Sequence, residues 1–230
     1  GGTGGSRSSQ MGGVAVLRAA NGVVERGKPI AAELLQGDEG MVSFKAGVYS
    51  IDDRRVTLQE VAKAALQPQF GGQLAETHRY HRGEGYTFPN GCHVAEVEID
   101  PETGVIHVDR YTAVDDCGRV INPLLAAGQV HGGVVMGIGQ AIYEHAIYDD
   151  EGQLLTGTLM DYAVPRATSF PAIKGRAVNC PSAVNALGVK GAGEGGTIPG
   201  QAVIANAVAD ALGADGPELN RMPLRPESVL

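Results

Sequence analysis

The sequence predicts an α+β fold in which helices are mixed with β-hairpins, and three patterns carry that prediction. Apolar residues recur at a helical period over 14–35. Over 92–99 and 104–115 apolar and polar residues alternate, with a turn between them, which is typical of a half-buried hairpin. Helix-like runs follow over 128–144 and 201–212, and the second is apolar enough to be buried. Together these helices and hairpins place the chain in the α+β class.

The first third of the chain is predicted to contain two helices and short strands. A glycine–serine loop over 1–13 leads into the first helix, whose apolar face includes Val14 and Leu17. Pro29 should kink or split that helix near Lys28, because proline lacks a backbone N–H and clashes with the preceding turn. The remaining elements are short strands over 41–51 and 55–57 and a second helix over 58–66.

The helix predicted over 128–144 is unusually rich in glycine. Each glycine costs a helix about 1 kcal/mol relative to alanine. Such a helix needs something packed very close to it, either a second helix or a cofactor, and the sequence leaves both open. The glycines are Gly132, Gly133, Gly137 and Gly139. Beyond this helix the sequence predicts a strand over 174–179 and a proline-rich tail over 217–230 that wraps over the surface.

Composition limits the class of protein. At 230 residues and 43% hydrophobic content, the chain can bury a core in one large domain or two small ones. A formal net charge of −8 argues against a nucleic-acid surface, and no apolar run approaches the roughly 18–20 residues that span a bilayer. The three cysteines are far apart and form no C-x-x-C pair, which argues against disulfides and against a zinc or iron–sulfur site in this chain. Since no signal-peptide pattern is present, we expect a cytoplasmic protein.

The most informative segment is a glycine-dense loop over 188–197 that carries one cation, Lys190, and one carboxylate, Glu194. Glycines let the backbone approach a bulky ligand and aim N–H groups at an anion. A carboxylate in such a loop opposes anion binding unless it has its own task, and general-base chemistry is such a task. Two other interpretations remain open. The loop can be a plain turn, or residues 191–196 can be the dinucleotide fingerprint G-x-G-x-x-G, which requires a strand before it and a helix after it.

The six histidines do not indicate a metal site. His78 and His81 are close in sequence but have no acidic or thiol neighbour at a ligand spacing. We interpret all six as structural or surface residues: His78, His81, His93, His107, His131 and His145.

Four motifs occur in order along the chain. They are G-T-G-G-S-R-S over 2–8; V-D-D-C-G over 114–118 with I-N-P over 121–123; G-Q-V-H-G-G over 128–133 with G-I-G over 137–139; and the loop over 188–197. In that order they resemble the C-terminal part of the molybdenum-binding large subunit of the xanthine dehydrogenase, aldehyde oxidase and aerobic carbon monoxide dehydrogenase family. The resemblance covers essentially the whole chain, residues 1–230. It implies half of a molybdopterin-binding domain, with two subdomains that meet near 90–125.

The resemblance implies a molybdenum hydroxylase. Its cofactor would be a molybdenum-pterin dithiolene, in the cytosine dinucleotide form, with iron–sulfur clusters and FAD on partner modules. Glu194 would be the catalytic base that takes a proton from a hydroxyl ligand of the metal, and the oxygen given to the substrate would come from water. The substrate would be an N-heterocycle, an aldehyde or carbon monoxide, and the resemblance does not choose among them.

The same resemblance implies which residues hold the cofactor. The first motif would bind cofactor phosphate through backbone N–H and hydroxyl groups at the start of the following helix. Gln129 would hydrogen-bond the pterin, since its amide both donates and accepts, and Lys190 would position either the cofactor or the loop. No side chain is implied as a metal ligand. The implied cofactor-binding residues are Thr3, Gly4, Gly5, Ser6, Arg7, Ser8, Asp116, Cys117, Gln129, Lys190, Gly191 and Gly193.

The implied partners are the remainder of the large subunit, iron–sulfur and FAD subunits, and a small-molecule substrate, in an oligomeric complex. The chain begins at Gly1 inside a binding motif, so we interpret it as a piece of a longer polypeptide that is inactive alone. Two alternatives remain open. One is a module that binds NAD or FAD through the fingerprint, and the other is a non-catalytic scaffold domain of the same fold.

Overall fold

The computed structural model describes residues 4–81, 85–213, 219 and 221–230. The chain divides into two compact units, one of Ser8–Gly83 and one that joins Gly1–Arg7 to Glu84–Leu230. The meeting of two subdomains near 90–125 stays a prediction. A search of the described helices finds none that is both long and apolar enough to cross a membrane.

The first unit, Ser8–Gly83, is built on one long helix. A π-helical turn, Ser8–Gly13, runs directly into α1 (Val14–Leu34), so the second half of the predicted glycine–serine loop is helical. Pro29 lies inside α1, which continues past it, and the prediction of a split helix was wrong. Ile30 is buried immediately after the proline. Its burial, together with that of its neighbours, offsets the single backbone hydrogen bond that proline removes.

A small antiparallel sheet and a second helix complete the first unit. The strand predicted over 41–51 is interrupted by a turn at Ala46 and Gly47, both of which have positive φ. The second helix agrees with the prediction over 58–66 within one residue. The elements are β1 (Ser43–Lys45), β2 (Val48–Ile51) and β3 (Arg54–Thr57), paired in that order, and α2 (Leu58–Ala65).

The second unit contains the predicted hairpin. β4 (Asn90–Ile99) pairs antiparallel with β5 (Ile106–Asp116), as the alternating pattern indicated. β6 (Ile173–Val178) adds to β5 in parallel, which gives the order β4-β5-β6. A parallel neighbour requires a long crossover connection. Here the crossover carries α3 (Pro123–Ile138), extended by a π-helical turn at Gly139–Tyr143.

Helix α3 starts earlier than the predicted residue 128. The Leu125 N–H donates to Asn122 Oδ1 at 3.2 Å, and Pro123 occupies the first turn, where its missing N–H costs no helical hydrogen bond. The prediction followed the apolar period and missed this cap. The last long helix, α4 (Thr197–Leu212), contains the helix predicted over 201–212.

Helices α3 and α4 pack against each other through glycines. A Cβ at Gly133 would lie 2.7 Å from the backbone N of Thr197, and one at Gly137 would lie 2.7 Å from the Cα of Gly200. The helices can be this close only because these positions carry no side chain. Helix packing therefore explains two of the four glycines that the sequence left unexplained. Gly132, on another face of α3, meets no described atom within 4 Å.

The core of the second unit includes part of the C-terminal segment. Leu224 and Val229 are 1% and 5% exposed, so this segment enters the core, and the prediction of a surface tail was wrong for it. The Leu224 N–H donates to the carbonyl of Ala141 at 2.7 Å, and the short α5 (Pro226–Val229) follows. Residues 217, 218 and 220 of the predicted tail lie outside the described residues. The buried core comprises Ile106, Val108, Tyr111, Ala113, Val134, Ile138, Ala141, Ile204, Val208, Leu224 and Val229.

Candidate functional site

The glycine-dense loop over 188–197 forms one wall of a pocket in the second unit, with a cavity volume of about 380 Å³. Another wall comes from the ends of β4 and β5, whose antiparallel pairing brings their terminal residues together. The loop and the strand ends are far apart in sequence and meet only through the fold. Lining residues that matter below are Ser6, His93, Asp115, Asp116, Gly191 and Glu194.

The start of the loop is fixed to the segment that follows β5. Val189 forms an antiparallel bridge with Gly118, and the Lys190 N–H donates to the carbonyl of Cys117 at 2.9 Å. A Cβ at Gly118 would lie 2.9 Å from the backbone N of Lys190, so a glycine is needed for this approach. We call residues 188–190 with these partners the entry clamp.

A buried ion pair reinforces the entry clamp. Lys190 Nζ contacts Asp116 Oδ2, and the two side chains are 11% and 8% exposed. Asp116 Oδ1 also accepts the backbone N–H groups of Gly118 at 2.8 Å and Cys180 at 3.4 Å. Burial alone would raise the pKa of Asp116, but the hydrogen bonds from Lys190 and Gly118 and the charge of Lys190 outweigh it and hold that pKa below its ordinary value. Two side chains expected at the cofactor thus bind each other and anchor the loop.

The end of the loop is fixed to α3. A Cβ at Gly196 would lie 2.7 Å from the backbone N of Val134 and 3.0 Å from the carbonyl carbon of Gly133. The Ile198 N–H donates to the carbonyl of Glu194 at 3.1 Å. We call this contact of Gly196 with α3 the exit clamp. Glu194 lies between the two clamps, so its backbone is held from both sides while its side chain is exposed.

The close contact between residue 196 and α3 is expected to require glycine at that position. The Gly196→Ala variant should lose about 2 kcal/mol of unfolding free energy, because the added methyl group meets rigid backbone that cannot move aside. Urea denaturation checks this as a lower midpoint with an unchanged m-value.

Gly132→Ala is the matched control for that variant. Its added methyl group meets no described atom within 4 Å on α3, and alanine favours a helix by about 1 kcal/mol over glycine. The control should be as stable as the wild type or more so. Equal destabilisation of both variants would contradict the exit clamp.

Several residues that the sequence predicted for cofactor binding do meet around the loop. A Cβ at Gly191 would lie 3.0 Å from Ser6 Oγ, and one at Gly193 would lie 3.8 Å from Gln129 Oε1. Cys117 lines the same pocket, and burial raises the pKa of its thiol. Gln129 projects from α3 and is exposed. Ser6, Cys117 and Gly191 therefore line one cavity, and Gly193 and Gln129 are each next in sequence to a lining residue.

The first motif is only partly described. Gly4 and Gly5 are exposed, and the Arg7 N–H donates to the carbonyl of Gly4 at 3.3 Å, which closes a turn. Ser8 begins the π-helix of the first unit. Thr3 lies outside the described residues. The phosphate-binding role of this motif therefore stays a prediction.

Three pocket or pocket-adjacent residues were missed by sequence reasoning. His93 Nδ1 lies 3.0 Å from the Tyr111 hydroxyl, and His93 Nε2 lies 3.1 Å from Asp115 Oδ2 and 3.2 Å from Asp115 Oδ1. The His93 side chain is 1% exposed. Because His93 pairs with Ala113, Tyr111 and Asp115 are its diagonal neighbours on one face of the sheet. The strand register that brings these side chains together is known only from the structure.

The structure does not support the dinucleotide fingerprint. That motif needs a strand that ends at its first glycine. Here β6 ends at Val178, and between it and Gly191 there is only the single bridge at Val189.

The part of the chain that the structure describes also holds no group of three or more His, Cys, Asp or Glu side chains placed to bind a metal ion.

Comparison with known proteins identifies the class. Residues 1–171 match the family model of the molybdopterin cofactor-binding domain. The chain is 36% identical over 238 residues to the nicotine 6-hydroxylase large subunit of Paenarthrobacter nicotinovorans, with 100% of this chain and 29% of that protein covered. It is 34% identical over 206 residues to the carbon monoxide dehydrogenase large chain of Hydrogenophaga pseudoflava, with 86% and 26% covered. Among solved structures, quinoline 2-oxidoreductase from Pseudomonas putida 86 superposes with a TM-score of 0.87 at 36% identity, over 99% of this chain and 30% of that one.

These matches define a partial molybdopterin-binding domain of an oxidoreductase. The chain belongs to the family of molybdenum-binding large subunits that includes the xanthine dehydrogenase and carbon monoxide dehydrogenase subunits. It spans less than a third of the length of these relatives, 29% of the nicotine 6-hydroxylase subunit.

Proposed function

We propose that this chain forms part of a molybdenum hydroxylase that oxidises a small molecule with oxygen from water, and that Glu194 is its base. The observation that carries the proposal is the position of Glu194. A carboxylate on a glycine-dense loop, clamped at both ends, reaches a pocket in a chain of the molybdopterin-binding family. A base needs a fixed position more than it needs a particular neighbour.

The residues around the pocket fit a large planar cofactor with polar edges. Glycine backbone at the half-buried Gly191 and the exposed Gly193 leaves room for close approach, and the amide of Gln129 offers both a donor and an acceptor. A bound molybdenum-pterin, in the cytosine dinucleotide form, would supply the redox chemistry. Ser6 and Gln129 would orient it, the Lys190–Asp116 pair would keep the loop in place, and Glu194 would accept a proton on its carboxylate oxygen.

An N-heterocycle is the first substrate class to test. Relatives named for nicotine and quinoline, both N-heterocycles, each share 36% of their aligned residues with this chain. Aldehydes and carbon monoxide are the other classes. The Glu194 side chain is exposed in the chain alone, and a base works best where water is excluded. We therefore propose that the chain acts only with the rest of a large subunit and with iron–sulfur and FAD subunits, in a cytoplasmic oligomer.

The test is the metal and nucleotide content of the full-length protein purified with the subunits that accompany it. We expect near-stoichiometric molybdenum and a releasable cytosine nucleotide. With an N-heterocycle as substrate and ¹⁸O-labelled water, the label should enter the product. A full-length protein with no molybdenum would refute the proposal and favour a scaffold domain of the same fold.

A further inference from the structure

The carboxylate of Asp115 faces the same pocket as Glu194 but has a different set of partners. It lies at the end of β5, and its side chain is 13% exposed. The carboxylate of the adjacent Asp116 is bound by Lys190 and by backbone N–H groups. Among the described residues, the side chain that hydrogen-bonds Asp115 is His93. Two successive aspartates thus have different tasks.

The direction of the hydrogen bonds between His93 and its two neighbours follows from chemistry. A carboxylate oxygen only accepts, so His93 Nε2 must carry the proton that it shares with Asp115. Burial, with a smaller effect from the charge of Asp115, raises the pKa of Tyr111, so its hydroxyl stays protonated. That hydroxyl lies 3.0 Å from His93 Nδ1. With Tyr111 1% exposed in the core, the imidazole ring is held from its inner side and holds Asp115 on its outer side.

The two backbone segments nearest the Asp115 carboxylate carry glycine, so no side chain covers it there. A Cβ at Gly91 would lie 2.6 Å from Asp115 Oδ1, and a Cβ at Gly195 would lie 3.6 Å from the same oxygen. Both neighbouring backbones are glycine, one on β4 and one on the loop. Asp115 lines the pocket, so the acceptor positions that His93 does not occupy are within reach of a molecule bound there. A carboxylate oriented in this way, with no second side-chain partner in the described part of the chain, is a binding group for a donor.

We infer that Asp115, oriented by His93 and Tyr111, binds an N–H donor edge of the planar molecule that fills the pocket. The chemical class is a ring with neighbouring N–H groups or a protonated ring nitrogen. Two sources offer it: the pterin part of the cofactor, and a cationic N-heterocyclic substrate. The inference rests on the proposed function only for the source of that ring, because the geometry of the three side chains stands without it.

The test uses Asp115→Asn in the full-length protein with its accompanying subunits. Asparagine is isosteric and can still accept the His93 hydrogen bond, but it has lost the charge and one acceptor oxygen. Asp109→Asn is the matched control, on the same strand and 62% exposed. If the pterin is the ligand, Asp115→Asn should hold about tenfold less molybdenum and pterin. If the substrate is the ligand, those contents should be unchanged and KM should rise about tenfold.

A second variant tests how Asp115 is oriented. Tyr111→Phe keeps the buried ring and removes only the hydroxyl that holds His93. If Asp115→Asn lowers the molybdenum and pterin content, Tyr111→Phe should lower it too, by a smaller factor. If Asp115→Asn raises KM, Tyr111→Phe should raise KM by a smaller factor. A purely structural role for Tyr111 would change the midpoint of thermal unfolding and leave both quantities unchanged.

The outcomes separate this inference from the proposed function. Wild-type protein without molybdenum refutes the proposed function. Asp115 is then tested by titrating wild type and Asp115→Asn with free pterin, followed by its fluorescence, and about tenfold weaker binding to the variant supports the inference. Unchanged content and unchanged KM in the loaded enzyme would overturn it, and so would equal affinity of the two empty proteins for both free pterin and a cationic N-heterocycle.

Discussion

Replacing Glu194 with glutamine is expected to lower kcat by about 10²–10⁴-fold, the usual contribution of a positioned general base. Glutamine has nearly the same shape and can still hydrogen-bond, but it cannot take up a proton. Both clamps of the loop involve the backbone and the Lys190–Asp116 pair rather than the Glu194 side chain. The loop should therefore keep its place, and molybdenum content should not change.

Steady-state kinetics of the assembled enzyme, with molybdenum measured on the same samples, checks this result. Glu151→Gln, an exposed glutamate in a turn outside the pocket, is the control and should leave kcat unchanged. If Glu194→Gln keeps kcat within about tenfold of wild type at equal molybdenum content, the assignment of the base is wrong. The scaffold interpretation would then be the better one.

Replacing Lys190 with methionine is expected to lower the free energy of unfolding by about 3–5 kcal/mol, since it leaves the Asp116 carboxylate buried without its counter-ion. Methionine fills much of the space of the lysine stem, so the loss reports the charge rather than a cavity. Urea denaturation measures it. Lys174→Met, on the exposed face of β6, is the control and should change stability by less than about 1 kcal/mol.

The same pair predicts a dependence on pH. The pKa of Asp116 is lowered in the folded protein, so the unfolded chain binds the proton more readily. The stability that the pair contributes is therefore complete above the ordinary aspartate pKa of about 3.9 and is lost as the pH falls through the folded value. The difference in unfolding free energy between wild type and Lys190→Met should be largest near neutral pH and shrink in acid. A difference that does not change between neutral and acidic pH would contradict the ion pair.

A double variant separates the buried charge from other effects. Lys190→Met combined with Asp116→Asn removes the uncompensated carboxylate and should recover part of the lost stability. If the double variant is less stable than Lys190→Met alone, the loss comes from packing or from the backbone hydrogen bonds of Asp116.

Much of the fold follows from local pattern. The hairpin of β4 and β5, the strand β6 and the helix α4 were predicted because each has a clear period and turn residues at its ends. Helix α1 was predicted to be kinked or split near Lys28, and it is not split because the residues after Pro29 enter the core. The C-terminal segment was placed on the surface, although Leu224 and Val229 are buried.

The site was less predictable, and the register of the hairpin shows why. Near the turn, Ile99 pairs with Ile106, which by simple counting would place His93 opposite Thr112. A bulge at Glu96 and Val97 shifts the pairing by one residue, and His93 instead lies opposite Ala113. That shift brings Tyr111 and Asp115 to its face of the sheet. No periodicity in the sequence marks the bulge, so the cluster could not be found before the structure.

The clamps at the two ends of the loop have a consequence for how this segment can change in evolution. Residues 191–195 connect the entry clamp to the exit clamp, so the length of this segment determines the position of Glu194. An inserted residue would lengthen the segment and leave the position of the carboxylate less well defined. A deletion would make the segment too short to keep both of its end contacts. Exchanging one small residue for another within this segment changes neither its length nor the contacts at its two ends. Selection should therefore act on the number of residues between the two anchor points as strictly as on the carboxylate and the small size of its neighbours.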